Sequence, residues 1–132
     1  MTDKQTLLAF RLKQAEETLS DAEKMLQSGL STRSIINRAY YAVFYSILAI
    51  FLHGDIRLKT SKHSGVLAIF DKEFVHTGKL EKKLSRIAHR LFDARQQVDY
   101  KELIEIPIEE ARECVDLAKE FGQATRQFME KP

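Results

Sequence analysis

The chain has 132 residues, of which 44% are hydrophobic and 30% are charged. This length and composition are those of one globular domain with a core, and they exclude an intrinsically disordered chain. The formal net charge of +2 is too small to identify a nucleic-acid-binding protein by itself. A lone cysteine, Cys114, excludes an internal disulfide and fits a reducing compartment.

No segment has the features of a signal peptide or of a membrane span. The sequence starts with the polar residues MTDKQ. The longest apolar run, from Ala39 to Leu52, is interrupted only by Ser46. It is shorter than the roughly 20 residues that a membrane span needs. We therefore predict a buried helix, a cytoplasmic protein and no contact with a membrane.

Apolar residues recur every three or four positions in the first part of the chain, which is the period of an amphipathic helix. Helix one carries the stripe Leu8, Leu12, Ala15, Leu19, Ala22 and Leu26. Gly29 suits a left-handed end of this helix, and Ser31 or Thr32 can cap the next one. The second helix, from about Ile35 to Phe51, is apolar on nearly every side and is predicted to lie at the centre.

The same period continues through the second half of the chain. A third helix, capped by Thr60 or Ser61 and ended by Gly78, points four residues inward: Val66, Leu67, Phe70 and Phe74. The fourth helix repeats the stripe of the first with Leu80, Leu84, Ile87, Leu91, Ala94 and Val98. Pro107 suits the first position of a fifth helix. We predict an all-α, up-and-down bundle of about five helices, forming one domain over residues 1–132.

A basic loop precedes the third helix and is the first candidate site. Arg57, Lys59, Lys62 and His63 lie within seven residues at the predicted helix N-terminus. Free backbone N–H groups attract anions there, and His63 can transfer a proton near neutral pH. The loop therefore predicts a phosphate site, with a merely solvated loop as the alternative.

The outer face of the fourth helix is the second candidate. Five basic residues form one stripe opposite the apolar one: Lys79, Lys82, Lys83, Arg86 and Arg90. Such a stripe can contact RNA phosphates or an acidic partner. It can equally be an ordinary solvated face.

The end of the fourth helix is the third candidate. Arg95 and Asp99 are four residues apart and can pair on the helix surface, next to Tyr100. The pair lies beside the apolar stripe, so it can hold a substrate phosphate or lock the helix to its neighbour.

The aromatic group Tyr40, Tyr41 and Tyr45 of the second helix is the fourth candidate. Tyr41 and Tyr45 share a face and can stack a base, although packing in the core or at an interface is the simpler role.

The sequence predicts neither a metal nor a cofactor. Glu73-x-x-His76 has the spacing of half of a di-iron site, but the other ligands are missing. His89 and Asp93 are a lone pair, which is poor evidence for a metal. There is no glycine-rich phosphate loop.

Three segments together resemble one protein family. Asn37-Arg38-Ala39-Tyr40-Tyr41-Ala42-Val43-Phe44-Tyr45 resembles the second helix of HEPN (higher eukaryotes and prokaryotes nucleotide-binding) domains. Lys59-Thr60-Ser61-Lys62-His63-Ser64-Gly65-Val66 is similar to the KT.H.GV segment of one prokaryotic subfamily, and Arg95-Gln96-Gln97-Val98-Asp99-Tyr100 to its R…DY segment. Their order and spacing agree over nearly the whole chain.

The resemblance implies a helical bundle, often a homodimer, and frequent pairing with a separate minimal nucleotidyltransferase, in some cases as a toxin–antitoxin system. Many HEPN proteins are metal-independent ribonucleases with an Arg-x4–6-His motif, and Arg57 with His63 has that spacing. If the motif lies late in the fourth helix instead, Arg95 is followed by Asp99 and Tyr100 and no histidine, which argues against ribonuclease activity.

We therefore expect a HEPN protein that binds a nucleotide or an RNA phosphate and works with a nucleotidyltransferase. One alternative is RNA cleavage, with His63 as acid or base and Arg57 or Arg95 stabilising the developing charge. The other alternative is a structural module that dimerises through its aromatic helix.

Overall fold

The computed structural model describes residues 2–100 and 105–131, without the side chain of Tyr100. Its elements are α1 (Asp3–Gln27), α2 (Thr32–His53), α3 (His63–Phe70), a π-helical turn (Asp71–Val75), α4 (Lys82–Tyr100) and α5 (Ile108–Glu130). Within these ranges there is no strand. The prediction of an all-α bundle of about five helices is confirmed.

Helix α2 is the centre of the bundle and packs against α1, α4 and α5. Its apolar residues face all three neighbours, so that Ile36, Ile47 and Ile50 are completely buried. In the described ranges, α2 is the one helix long and apolar enough to cross a membrane, but 67% of its most apolar window is buried inside the bundle. The core helix of a soluble protein has these properties.

The apolar stripe of α4 faces the core along its whole length. All six predicted residues, from Leu80 to Val98, are buried, although α4 begins only at Lys82 and Leu80 lies just before it. The matching stripe of α1 is covered less completely, because Ala15 and Ala22 are buried whereas Leu12 and Leu19 are only partly so. Helix α1 therefore lies on the outside of α2, and α4 contributes more to the core.

Three predicted helix ends have the expected residue, although Gly78 follows the π-helical turn and α3 itself ends at Phe70. Gly29 and Gly78 have φ angles of 70° and 80°, the left-handed conformation that glycine adopts without strain. Ser31 caps α2, since its side chain accepts a hydrogen bond from the Ser34 backbone N–H.

The predicted cap of α3 is wrong. The helix begins at His63, and the residue before it, Lys62, makes no side-chain cap hydrogen bond. Thr60 instead accepts a hydrogen bond from the backbone N–H of Lys62 and lies against Gly65, where an added Cβ would come within 2.8 Å of the Thr60 methyl carbon. Thr60 thus fixes the loop against α3, and His63 occupies the first turn of that helix.

Two further ends differ in detail. Pro107 is the cap of α5 rather than its first helical residue. The π-helical turn that follows α3 was not predicted, because nothing in the apolar spacing distinguishes it from an α-helix. In that turn the backbone N–H of His76 donates to the carbonyl of Asp71, five residues earlier.

The core position of α4 gives a stability prediction. Leu91 is completely buried, so Leu91→Ala should lower the free energy of unfolding by about 2–5 kcal/mol, through lost burial and the cavity that remains. Leu30→Ala is the matched control, because Leu30 is 51% exposed. Urea denaturation followed by circular dichroism measures both. Equal losses in the two variants would contradict the placement of α4.

Candidate functional site

One face of α2 carries a polar and aromatic group in the N-terminal half of the helix. Asn37, Tyr40, Tyr41 and Phe44 are spaced by three, four and seven residues from the first, which places them on one side of a helix. This side faces the start of α3 and the last turns of α4. The two helices each contribute one functional side chain to it.

His63 comes from the first turn of α3. Its Nδ1 atom lies 2.7 Å from the hydroxyl oxygen of Tyr40. The imidazole also packs on the ring of Phe44, at 4.2 Å between centroids, and meets the edge of Tyr41 at 5.9 Å. The histidine is partly exposed, so it is fixed on one side and open on the other.

Arg95 comes from α4 and lies over two aromatic rings. Its guanidinium carbon is 5.2 Å from the ring centre of Tyr40 and 5.3 Å from that of Tyr41, a cation–π arrangement. Its Nε donates to the side-chain oxygen of Asn37 at 3.3 Å. A terminal nitrogen lies 3.9 Å from Asp99, as expected from the spacing of the two residues. We call Asn37, Tyr40, Tyr41, Phe44, His63 and Arg95 the Arg95–His63 site.

Burial and one positive charge set the protonation of this site. Burial lowers the pKa of His63 below its ordinary value, and the charge of Arg95 lowers it further. Burial raises the pKa of Tyr40, an effect that Arg95 partly opposes. At neutral pH the site therefore contains a neutral imidazole, a protonated phenol and one guanidinium. Such a set of groups can bind an anion and can hold a proton beside it.

The basic loop contributes His63 to this site. Arg57, Lys59 and Lys62 are exposed in the segment before α3. Arg57 lies close enough to Asp55 to affect its carboxylate. Lys4 is the main cause of the lowered pKa of Asp55, and Arg57 lowers it further. A role for these three residues in phosphate binding stays a prediction.

The basic face of α4 is partly neutralised by acidic neighbours. Lys83 lies 3.6 Å from Glu81 and 4.0 Å from Glu120. Arg90 contacts Glu110 at 3.4 Å and also lies 3.7 Å from Glu113. The remaining three are Lys79, which lies over the ring of Phe74, and the exposed Lys82 and Arg86. The charge of this stripe is thus smaller than the sequence suggests.

Three other residues named in the sequence analysis, Tyr100, His89 and Cys114, lie outside the Arg95–His63 site as defined above. Tyr100 is the last residue of α4, and its side chain lies outside the described part of the structure. His89 pairs with Asp71 at 2.7 Å. Over residues 2–100 and 105–131, no group of three or more potential ligands could hold a metal ion. Cys114 is buried in the core, and burial raises the pKa of its thiol to about 11.

Asn37 and Phe44 belong to no site predicted from the sequence, and Tyr40 was predicted only as part of an aromatic group for which packing was the simpler role. Tyr40 is indeed 1% exposed, but its hydroxyl also binds His63. The available signal was the spacing of Asn37, Tyr40, Tyr41 and Phe44. That spacing defines a face of α2 but does not identify what packs against it.

Comparisons with known proteins match this chain to one family. A family model described as "HEPN domain" matches residues 8–128. A UPF0332 protein of Thermotoga maritima is 38% identical over 98% of this chain and 96% of its own length. Two Methanocaldococcus jannaschii proteins, each named "Putative toxin", are 33% and 36% identical over 89% and 76% of this chain. The matches cover 78% and 72% of those two proteins.

The proximity of Arg95 and His63 predicts how His63 titrates. Because burial and Arg95 both lower its pKa, the midpoint measured by NMR should lie below the ordinary value near 6.5. Arg95→Gln removes the charge and should raise the midpoint, although burial keeps it depressed. Arg57→Gln should leave it unchanged. If Arg57→Gln shifts the midpoint of His63 more than Arg95→Gln does, Arg57 rather than Arg95 is the charge next to His63, which would contradict this geometry.

The same shift makes stability depend on pH. A histidine with a depressed native pKa binds fewer protons in the folded than in the unfolded state. Above the pKa of the unfolded state, His63 is neutral in both states and does not reduce the free energy of unfolding. The free energy of unfolding decreases as the pH falls from about 6.5 toward the native pKa of His63, because the unfolded state then binds the proton more readily.

Proposed function

We propose that this chain, which belongs to the HEPN domain family, is a toxin-like protein that binds a phosphate of RNA or of a nucleotide at the Arg95–His63 site. The toxin-like role is supported by the names of two relatives. The observation that carries the phosphate site is the position of Arg95, held by Asn37 and by two tyrosine rings beside His63.

The anchoring of Arg95 suits phosphate recognition. Asn37 accepts from Nε, and the flat guanidinium rests on Tyr40 and Tyr41. The side chain is 26% exposed, so the outward N–H groups are within reach of a ligand. Arginine binds phosphate through two parallel hydrogen bonds, and a side chain that is already ordered loses less entropy on binding. Asp99, 3.9 Å away and 58% exposed, is a weak competitor that a phosphate can displace.

The other two basic regions fit a phosphate less well. Arg57, Lys59 and Lys62 are exposed side chains in the segment before α3. On the basic face of α4, Lys83 and Arg90 already face carboxylates. The Arg95–His63 site is the place where a cation, a histidine and a packed support occur together.

The proposal extends to partners through the family resemblance. A separate minimal nucleotidyltransferase is the proposed partner, in a toxin–antitoxin pair, with this chain acting as a cytoplasmic homodimer. The arrangement of neighbouring genes provides a direct check. A small nucleotidyltransferase gene beside this one, whose product copurifies with the chain, would support the pairing. If this product does not copurify with the chain, the pairing is contradicted. A monomeric chain in light scattering would contradict the homodimer.

Binding can be measured with fluorescein-labelled single-stranded RNA and with labelled ATP. Arg95→Gln should weaken the affinity about tenfold or more, because a charge-assisted bidentate contact is lost. Arg112→Gln is the control, since it removes the same charge from an exposed position on α5 and should change the affinity less than about twofold. A larger loss in the double variant Lys82→Gln/Arg86→Gln would assign binding to the outer face of α4. No binding of either probe by the wild type would contradict the proposal.

RNA cleavage is the second candidate, and the neutral imidazole next to Arg95 is the observation that favours it. A neutral histidine can accept a proton from an attacking 2′-hydroxyl, and a guanidinium can stabilise the charge that develops on phosphorus. This second candidate requires a free lone pair on one nitrogen of His63. It predicts that the wild type cleaves RNA in an assay with EDTA present and that His63→Ala loses about 100-fold or more of the rate. Equal rates in both proteins would remove His63 from the reaction.

A further inference from the structure

We infer that Tyr40 is a positioning residue that fixes the tautomer of His63, so that the neutral imidazole carries its proton on Nε2 and donates it to the bound phosphate. The donation to phosphate rests on the proposed function. The tautomer does not, because it follows from contacts inside the protein. The contact that carries the inference is the 2.7 Å hydrogen bond between the Tyr40 hydroxyl and His63 Nδ1.

The direction of this hydrogen bond follows from the burial of Tyr40. The residue is 1% exposed, and a buried hydroxyl needs an acceptor for its proton. In the described part of the chain, the partner of this hydroxyl is Nδ1 of His63. Tyr40 therefore donates and Nδ1 accepts. A neutral imidazole that accepts at Nδ1 has its proton at Nε2.

The opposite direction is unfavourable. If Nδ1–H donated to the tyrosine oxygen, the buried O–H of Tyr40 would have no acceptor among the described residues. The protonation states agree with the first arrangement, because burial raises the pKa of Tyr40 and lowers that of His63. Among the described residues, the groups that face His63 are the rings of Tyr40, Tyr41 and Phe44 from α2 and the guanidinium of Arg95 from α4. Arg95 is the charged one, and it disfavours a second positive charge.

This tautomer determines what His63 can do for a ligand. Nδ1 has its lone pair occupied by Tyr40, and Nε2 presents an N–H. Together with Arg95 the site then consists of hydrogen-bond donors, which suits the non-bridging oxygens of a phosphate. A histidine in this state has no free lone pair with which to act as a base. It contributes to binding, and taking part in cleavage would require the Tyr40 hydrogen bond to break.

The tautomer can be read in the ligand-free protein. Proton–nitrogen correlation spectra of a sample with ¹⁵N-labelled histidine, recorded above the pKa of His63, distinguish a proton on Nε2 from one on Nδ1. His63→Gln identifies the signal among the four histidines. The wild type should show the Nε2–H form, and Tyr40→Phe should raise the fraction of the Nδ1–H form. Tyr45→Phe is the matched control and should leave the spectrum of His63 unchanged.

Either of two results would overturn the role of Tyr40. One is a proton on Nδ1 of His63 in the wild type. This result does not depend on whether any variant folds. The other is a folded Tyr40→Phe protein with the wild-type tautomer. A lost core contact alone would alter stability without this change in the nitrogen spectrum, so the readout separates positioning from packing.

The donor role is tested by binding. Glutamine retains an N–H near the position of Nε2, so His63→Gln should keep the affinity for labelled RNA within about threefold. His63→Phe keeps the ring but has no donor, and should lose about tenfold. Equal losses in both variants would overturn the donor role. If the wild type binds no RNA or ATP, the proposed function and the donor role fall together, whereas the tautomer is decided by the spectra alone.

Discussion

The packing of α4 against the N-terminal half of α2 holds both the core and the site together. Leu91 and Ala94 of α4 are buried in this contact region. On its polar edge, Arg33 donates to the backbone carbonyl of Val98, and Asn37 accepts from Arg95. The apolar contact supplies the stability, and the two polar contacts fix the rotation of α4 about its axis. Arg95 can lie over the tyrosine rings only while this rotation is maintained.

Tyr40 belongs to the core and to the site at once. Its ring is buried among the aromatic residues of α2 and α4, and its hydroxyl reaches His63 on α3. A buried polar group is favourable only when it is hydrogen-bonded, so the hydroxyl and the imidazole depend on each other. The first turn of α3 is in turn fixed by the approach of Thr60 to Gly65. A change in the loop before α3 would therefore reach the site through His63.

The proposed anion site does not coincide with the highest density of formal charge on this protein. The basic stripe of α4 is the most obvious cluster in the sequence, yet Lys83 and Arg90 face carboxylates of α5. Arg95 is a single cation, but it is held by an amide and two rings and lies next to His63. For a ligand as small as a phosphate, order and desolvation count for more than the number of surface charges.

The sequence predicted the helices because apolar spacing is a local property. Leu84 to Val98 could be assigned to one face of α4 without knowledge of any other helix. The predicted cap of α3 was wrong because a threonine at position 60 could either cap the helix or pack on Gly65. The sequence does not distinguish the two, whereas the contact between Thr60 and Gly65 in the structure does.

The site itself is made of contacts between distant residues. Tyr40 and His63 are 23 positions apart, and Asn37 and Arg95 are 58 positions apart. Periodicity places each of these residues on a face of its own helix, but it does not say which faces meet. The pairing of Arg95 with Asp99, four residues apart on one helix, was accordingly predicted, whereas its contact with Asn37 was not.

The most direct test of the phosphate site is a map of the residues that respond when a short single-stranded RNA is added. NMR spectra of the ¹⁵N-labelled protein, including the side-chain signals of arginine and histidine, would be recorded during the titration. The largest shifts should fall on Arg95, His63 and Asn37, since these are the groups that a bound phosphate would touch or displace. Shifts centred on Lys82 and Arg86, or confined to residues 57–62, would contradict this account and place the ligand elsewhere on the bundle.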